Sequence, residues 1–217
     1  IQQNVTAEYL VEFMKARMDT VRLGVYAERA ANSGEYVGLP LGTLGQNTPD
    51  LSIMGIEEFR SDDSPTRLMR YSEVLFIYAE AALNGWNVGM TAEEAYNAAI
   101  QASFDEYGIE IGDYLSEPNV AFNGAANQRE LIGDQKWCAL YPDGNQGWAE
   151  IRRTGYPVYV ATTEPVESLY PGNGVIVRQP YPYAEAINNG PSLDAALSAQ
   201  PGIIDEKFGQ KYRNSKA

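Results

Sequence analysis

The spacing of apolar residues predicts a first helix over residues 6–21. Its apolar side chains recur at three- and four-residue steps, which places them on one helical face. The hydroxyl of Thr6 suits an N-cap. The apolar positions are Leu10, Phe13, Met14, Met18 and Val21. The pattern then stops over residues 32–49, where glycines and prolines predict a long irregular loop. Loops of this length inside compact chains often carry function.

A nearly continuous apolar run predicts a second helix over residues 71–83. Only Glu73 and Glu80 interrupt it, and their spacing places both on one face, two turns apart. A helix this apolar is expected to be mostly buried. Carboxylates on such a helix need cationic partners, so we expect them to serve the structure. The candidate partners are Arg67, Arg70 and Arg153.

A capping box opens the next predicted helix. Thr91 is followed three residues later by Glu94, a spacing in which each side chain bonds the other residue's backbone N–H. This helix is predicted from residue 92 to about residue 107, and Gly108 is expected to end it. Together the two helices form an antiparallel hairpin close to the roughly 34-residue length of a tetratricopeptide repeat.

The second half of the chain adds further helices and two extended segments. Helices are predicted over residues 127–140, opened by Asn127, and over residues 146–152, with a last one over residues 192–199 that Ser192 would cap. The segments PVYVATT and VIVRQP are the best strand candidates and could pair in a small hairpin. The predicted fold is therefore mainly α, with a helical-repeat hairpin, long irregular loops and a little β hairpin.

Composition and charge exclude several classes of protein. The 217 residues carry a net charge of −13, which repels phosphate backbones and argues against nucleic acid as a partner. Histidine is absent, which removes Ser-His-Asp and Cys-His catalysis and imidazole zinc sites. Cys138 is the single cysteine, so no intrachain disulfide forms, and we expect it to be a small core residue.

Two weak signals for metal binding and catalysis have simpler interpretations. Asp143, Asn145 and Glu150 resemble a calcium loop only in part, because Gly147 stands where a further ligand would be needed. Paired acids could act as glycosidase carboxylates, but adjacent acids are typical of solvated turns. These pairs are Glu57–Glu58 and Asp62–Asp63. We therefore predict no metal, no cofactor and no catalytic residue.

Aromatic residues in the predicted loops indicate a different kind of chemistry. Trp137 and Trp148 flank a turn between two helices, and a packed aromatic corner is the simpler interpretation of that pair. Tyr36 lies in the glycine-rich loop and Trp86 in the hairpin loop. Aromatic faces stack on the apolar faces of sugar rings, while Asn, Gln and Asp bind the hydroxyls. The composition thus modestly favours carbohydrate binding.

Four linked motifs resemble those of the SusD/RagB-type outer-membrane lipoproteins. The first is RYSEVLFIYAEAALNGW, followed by AEEAYNAAIQASFDEYGI, which is similar to that family's helical hairpin. The others are LIGDQKWCAL, then GWAEIRRTGYP, then RQPYPYAEAINN. A looser D-x-x-R-x-x-x-Y element matches Asp19, Arg22 and Tyr26. The motifs occur in the family's order over nearly the whole chain.

The resemblance implies a role in nutrient capture at the surface of Bacteroidota. Such proteins sit as lids on SusC-like TonB-dependent outer-membrane transporters and bind oligosaccharide or, in some cases, peptide. Family members are about twice as long, so residues 1–217 would be the C-terminal portion of a single SusD-like domain. The N-terminal half, with its lipidated cysteine, would then be supplied by a companion chain or removed by proteolysis or truncation.

The matched motifs correspond to scaffold residues of the family. They do not identify a ligand site in this chain. Family ligand residues lie in variable loops, often before the AEA helix, so Tyr36, Gln46 and Asn47 are the best candidates for ligand binding, followed by Trp86. The predicted function is capture of oligosaccharide for the transporter. A peptide-capturing member of the same family is the alternative, and a helical-repeat glycosidase is a second one.

Overall fold

The computed structural model describes residues 4–43, 46–122, 127–162 and 181–199, with residues 203–204 and 211–212. The described chain is mainly helical, which confirms the predicted class. Its elements are α1 (Glu8–Ala16), α2 (Thr20–Tyr26), α3 (Ile56–Phe59), α4 (Tyr71–Leu83), α5 (Ala92–Asp105), α6 (Gln128–Ala139), α7 (Gly144–Thr154), α8 (Val158–Thr162), α9 (Tyr183–Asn188), α10 (Gly190–Ser198), β1 (Ile203–Ile204) and β2 (Lys211–Tyr212), with short 3-10 turns at Thr48–Asp50 and Tyr114–Ser116.

The α4–α5 hairpin is the part of the fold that the sequence describes best. The predicted capping box is present, because Thr91 Oγ1 accepts the Glu94 N–H and Glu94 accepts the Thr91 N–H. Gly108, with a φ of 63°, follows the end of α5 as expected. The small side chains of Ala95 and Ala99 are buried between the two helices, so the backbones approach closely.

Helix α6 joins two hydrophobic cores. One core lies between α4 and α5 and includes Ile132 and Ala139 of α6. The other is built on α1 and α2 and includes Trp137 and Cys138 of the same helix. Cys138 is buried, as predicted, and burial raises the pKa of its thiol to about 12. The positions of α4, α5, α1 and α2 are thus all fixed against one helix.

The single first helix predicted over residues 6–21 is wrong, because the chain turns between α1 and α2. Met18 has a φ of 57°, and the Met14 carbonyl accepts the N–H groups of Arg17 and Asp19 there. Because of this turn, Arg17 reaches Asp134 of α6, and Asp19 pairs with Arg22 in the core. Thr6 is not the N-cap either, since its backbone bonds to Leu39 and Ser52.

The loop that follows α2 is irregular, as predicted, and its base is fixed on the N-terminal segment. Leu39 forms a parallel bridge with Ala7, and Ile53 forms an antiparallel one with Val5. Gly38 lies so close to α1 that an added Cβ would stand 2.2 Å from the Glu8 Cα atom. Only glycine fits at that approach.

Helix α4 is less buried than its apolar sequence predicts. Leu75, Phe76 and Ala79 face the core, whereas Ile77 and Tyr78 are exposed. Tyr71 is 71% exposed, and Leu68, just before the helix, is 94% exposed. The described residues cover only one side of this helix, so the expectation of a mostly buried helix holds for that side alone.

The C-terminal predictions have mixed outcomes. Helix α7 is longer than predicted, and PVYVATT contains helix α8 rather than a strand, with Val160 packed in the second core. The segment VIVRQP lies outside the described residues, and the antiparallel β1–β2 pair occurs later in the chain. Helix α10 begins at Gly190, so Ser192 lies within it rather than capping it. No helix among the described residues is long and apolar enough to cross a membrane.

Candidate functional site

A buried polar network explains the D-x-x-R element at the start of α2. Arg22 is completely buried and donates to Asp19 Oδ2 from Nε at 2.8 Å. Its other nitrogens reach Ser103 Oγ at 3.2 Å in α5 and Gln135 Oε1 at 2.7 Å in α6. Tyr114 completes the network through a bond from Gln135 at 2.8 Å. One guanidinium therefore holds three parts of the fold together.

The charge of Arg22 is retained despite its burial. Desolvation lowers its pKa, but the carboxylate of Asp19 and other nearby groups raise it well above the usual value. The next residue of the element, Tyr26, donates to the Cys138 carbonyl at 3.1 Å, and burial raises its pKa. These residues are enclosed by the core and support the fold, with no route to a ligand.

A second network lies where α4, α6 and α7 meet. Arg153 binds both Glu80 oxygens, at 2.6 and 2.7 Å, and also contacts Glu150 at 2.6 Å. Lys136 completes it with a 3.0 Å bond to Glu150. Of the three candidate partners, Arg153 is the one that pairs with Glu80. The arginine hydrogen bonds lower the pKa of Glu80, which keeps it ionised.

The loop holds three of the four predicted ligand residues. The Tyr36 ring is half-buried, with the Arg29 guanidinium 4.5 Å from its centroid. Gln46 and Asn47 are exposed, and Asn47 Nδ2 donates to Asp50 Oδ2 at 2.9 Å. Asn32 donates to the other Asp50 oxygen, and these two bonds lower the pKa of Asp50. Among the described residues of the loop, Asn32, Asn47 and Asp50 therefore form an exposed, hydrogen-bonded polar cluster.

Trp86 lies far from that loop. It is 70% exposed and follows α4, at the turn that leads into α5. The loop belongs to the opposite end of this hairpin, where Tyr26 of α2 contacts Tyr107 after α5. A helix of the length of α4 spans roughly 20 Å. The structure thus does not bring Trp86 together with the three loop residues.

An aromatic pocket that the sequence patterns did not predict lies beside the loop. Its volume is about 370 Å³, and it lies between α7 and residues 5–10. Leu41 and Met54, from the two sides of the loop, form part of the wall. The aromatic residues that line it are Tyr9, Trp137, Tyr141 and Trp148.

The aromatic corner predicted for the two tryptophans is only partly packed. Trp137 is buried against Phe13, edge to face at 5.2 Å between ring centroids, and against Tyr9 at 6.0 Å. Trp148 is half-buried on the pocket wall, with Arg152 4.5 Å from its ring centroid. The sequence signal that could have found this pocket is the helical spacing of Gly144, Gly147, Trp148 and Ile151.

Three of the carboxylates considered for calcium or catalysis have structural contacts. Asp143 caps α7 by accepting the N–H groups of Asn145 and Gln146. Glu150 belongs to the Arg153 network, and Glu58 pairs with Arg67. Among the described residues there is no group of three or more acidic or sulfur side chains that could hold a metal.

Sequence comparison decides the family. A family profile described as SusD-like, starch-binding associating with outer membrane, matches residues 2–182. The chain belongs to the SusD-like family. No curated protein shows significant similarity to it.

Solved structures share the SusD-like fold. A chitin-binding SusD homologue from Flavobacterium johnsoniae is 28% identical, with a TM-score of 0.72, over 96% of this chain and 48% of its own. A SusD homologue from Bacteroides uniformis is 26% identical, with a TM-score of 0.77, over 97% of this chain and 49% of its own. A SusD-like protein from Bacteroides thetaiotaomicron is 28% identical, with a TM-score of 0.70, over 89% and 47%. The chain thus spans about half the length of these structures.

Proposed function

We propose that this SusD-like chain captures oligosaccharide at the cell surface and passes it to a SusC-like TonB-dependent transporter in the outer membrane. The family description and the chitin-binding homologue support carbohydrate as the ligand class. The observation that carries the proposal is the loop itself. Its base is fixed by backbone bonds to residues 5–7, while its tip presents ordered amide and carboxylate groups. Such preorganisation lowers the entropic cost of binding a flexible glycan.

Within this loop, Tyr36, Gln46 and Asn47 are the proposed ligand contacts. The two amides offer donors and acceptors for sugar hydroxyls, and the tyrosine ring offers an apolar surface. Trp86, at the other end of the hairpin, would be an independent contact with a longer glycan or with a different partner.

A side-by-side array of neutral glycans and short peptides tests the ligand class. We expect glycan binding, and Tyr36→Ala should weaken it by about 1–3 kcal/mol if this ring is a central contact. Asp62→Ala, at an exposed turn before α4, is the matched control and should leave affinity unchanged. Binding to peptides alone would favour the peptide-capturing alternative, and binding to neither class would overturn the proposal.

Binding rather than catalysis is the proposed activity. A glycosidase needs a carboxylic acid that holds its proton at working pH, opposite a second carboxylate. Glu80 and Glu150 line a pocket of about 220 Å³, but both are paired with Arg153 and the pKa of Glu80 is lowered. Release of reducing sugar from the bound glycan would contradict this assignment.

The chain is also proposed to be the C-terminal portion of a single larger SusD-like domain. The exposed apolar side of α4, formed by Tyr71, Ile77 and Tyr78, is a surface that soluble proteins usually cover. We expect the N-terminal half to cover it. Hydrogen exchange should show slower exchange over residues 71–83 when that half is present, and unchanged exchange would contradict the proposed packing.

The last part of the proposal concerns where the protein is attached and how the glycan reaches the transporter. We propose attachment to the outer face of the outer membrane through a lipidated segment of the N-terminal half. Co-purification with a SusC-like transporter from detergent-solubilised outer membranes is the test. Loss of glycan uptake on deletion of the gene, restored by the full-length protein, is the expected outcome, and unaffected uptake would overturn delivery.

A further inference from the structure

We infer that the 370 Å³ pocket between α7 and residues 5–10 binds a terminal N-acetylated sugar ring of the captured oligosaccharide. This inference rests on the proposed function and adds a specific subsite to it. The subsite is distinct from the loop residues Tyr36, Gln46 and Asn47 and is adjacent to them.

The pocket exists because one face of α7 has small residues where a packed helix normally has large ones. Gly144, Gly147, Trp148 and Ile151 occupy that face at helical spacing and line the pocket. A Cβ added at Gly144 would meet nothing within 4 Å. One added at Gly147 would lie 3.4 Å from Trp137 Nε1, in ordinary contact. The two glycines therefore leave room between α7 and the N-terminal segment.

The aromatic walls suit the apolar face of a sugar ring. Tyr9 and Tyr141 are half-buried, and Trp148, on α7, lines the same pocket. Arg152 contacts one face of the Trp148 ring and helps to fix its orientation. Rings held in place at a pocket of this volume match the usual character of small-ligand sites.

The interior favours a sugar whose substituent ends in a methyl group. Leu41, Met54 and Val160 line the pocket, while the hydroxyl oxygen of Thr6 is itself buried. A plain hexose carries a hydroxyl at the position of the acetamido group, and that hydroxyl would meet the aliphatic wall without a partner, which is unfavourable. An acetamido group instead places a methyl against the aliphatic wall. The carboxylate of Asp143, oriented at the rim by its capping bonds, accepts from sugar hydroxyls and repels anionic sugars.

We expect the remainder of the oligosaccharide to extend from this pocket toward the loop. Leu41 belongs to the pocket wall and precedes Gln46 and Asn47 by only a few residues. The bridge between Ala7 and Leu39 fixes the loop to the same segment that forms the other wall. A glycan whose end occupies the pocket therefore extends toward the proposed loop contacts.

Calorimetry on the 217-residue chain tests the subsite with two matched disaccharides. N,N′-diacetylchitobiose and cellobiose share linkage and ring stereochemistry and differ in the acetamido groups. We expect at least about tenfold tighter binding of the acetylated sugar. Trp148→Ala and Tyr9→Ala should each weaken that binding at least about tenfold, while Trp148→Phe keeps most of it. Tyr71→Ala, on the exposed side of α4, is the aromatic control and should leave affinity unchanged.

Each contrary outcome has a defined meaning, provided that thermal unfolding shows each variant to be folded. Equal affinity for the two disaccharides, or acetylated-sugar binding insensitive to Trp148→Ala and Tyr9→Ala, overturns the subsite and leaves glycan capture standing. Binding of leucine- or phenylalanine-containing peptides that is lost in Trp148→Ala overturns it in favour of a peptide side-chain pocket. Failure of the chain to bind any glycan overturns the proposed function as well.

Discussion

Helices α4 and α6 reverse the expected relation between polarity and burial. Helix α4 is apolar on most sides, yet Ile77 and Tyr78 are exposed. Helix α6 carries Asp134, Gln135 and Lys136 in succession, and all three are buried. The difference lies in their partners. Each polar residue of α6 meets Arg17, Arg22 or Glu150, whereas one side of α4 has no described neighbour that covers it.

This comparison shows that hydropathy alone does not decide which side chains are buried. A side chain is buried where neighbouring elements provide contacts for it. A buried polar side chain is tolerated when its hydrogen bonds are satisfied, and it then fixes the elements that supply the partners. An apolar side chain needs no hydrogen-bond partner. It is buried only where a neighbouring element covers it.

The largest effect on stability is expected from replacing Arg22 of α2, which binds Gln135 of α6. Arg22→Met leaves Asp19 buried without its cation and Gln135 without its donor, and it should cost about 3–5 kcal/mol of unfolding free energy. Urea unfolding monitored by circular dichroism measures it. Combining Arg22→Met with Asp19→Asn should recover part of the loss. A cost below about 1 kcal/mol would show that the network is not structural.

The next effect concerns Asp134, which pairs with Arg17. Burial, opposed in part by Arg17, raises the pKa of Asp134 from 3.8 to about 6. Because the folded state binds this proton more tightly, the contribution of Asp134 to stability is greatest below about pH 4 and is lost as the pH rises from about 4 to 6.

Asp134→Asn removes the ionisable group, so the stability that is lost when Asp134 ionises should be retained. The free energy of unfolding at pH 7.5 should therefore rise by up to about 3 kcal/mol. Urea titrations at pH 4 and pH 7.5 measure the effect in both proteins. We expect the two proteins to differ more at pH 7.5 than at pH 4. A variant less stable at pH 7.5 would mean that the Arg17 pair outweighs desolvation.

A smaller effect is expected from the ion pair that joins α4 to α7. Glu80→Gln removes the charge of a partly exposed pair and should cost about 1 kcal/mol or less at pH 7. Since the pKa of Glu80 is lowered in the fold, the contribution of this pair is lost as the pH falls below about 4.5. Thermal unfolding at low and high salt measures this contribution, and Asp63→Asn, at an exposed turn, is the control. Indifference to both pH and salt would contradict an ionic contribution.

The smallest effect is expected on the uncovered side of α4. Tyr78→Ser should change the unfolding free energy of this chain by no more than about 0.5 kcal/mol, because the ring is exposed. Phe76→Ala, on the buried side, should cost about 3–5 kcal/mol and provides the contrast. Equal costs for the two variants would show that the exposed side is covered in solution.

The parts of this fold that the sequence could predict are local. The capping box at Thr91, the cap at Asn127 and the α4–α5 hairpin depend on neighbours within a few residues, so their patterns are visible in the sequence. The pairing of Glu80 with Arg153 was predictable because a carboxylate on an apolar helix needs a cation.

The remaining features depend on contacts between distant segments. The turn at Met18 places Arg17 against Asp134, and helix α8 places Val160 in the second core; neither contact has a local signal. The aromatic pocket requires Tyr9 and Trp148, from separate helices, to line one cavity. Tyr36, Gln46, Asn47 and Trp86 stay predictions as ligand contacts.

The close approach of Gly38 to Glu8 constrains which substitutions the loop can accept. Any side chain at this position would collide with the backbone of α1, so a change there displaces the whole loop. Substitutions beyond Leu39, in contrast, alter the tip while its attachment stays intact. For a tip that binds glycan as proposed, substitutions there change the binding surface without displacing the loop, whereas a substitution at Gly38 displaces all of it.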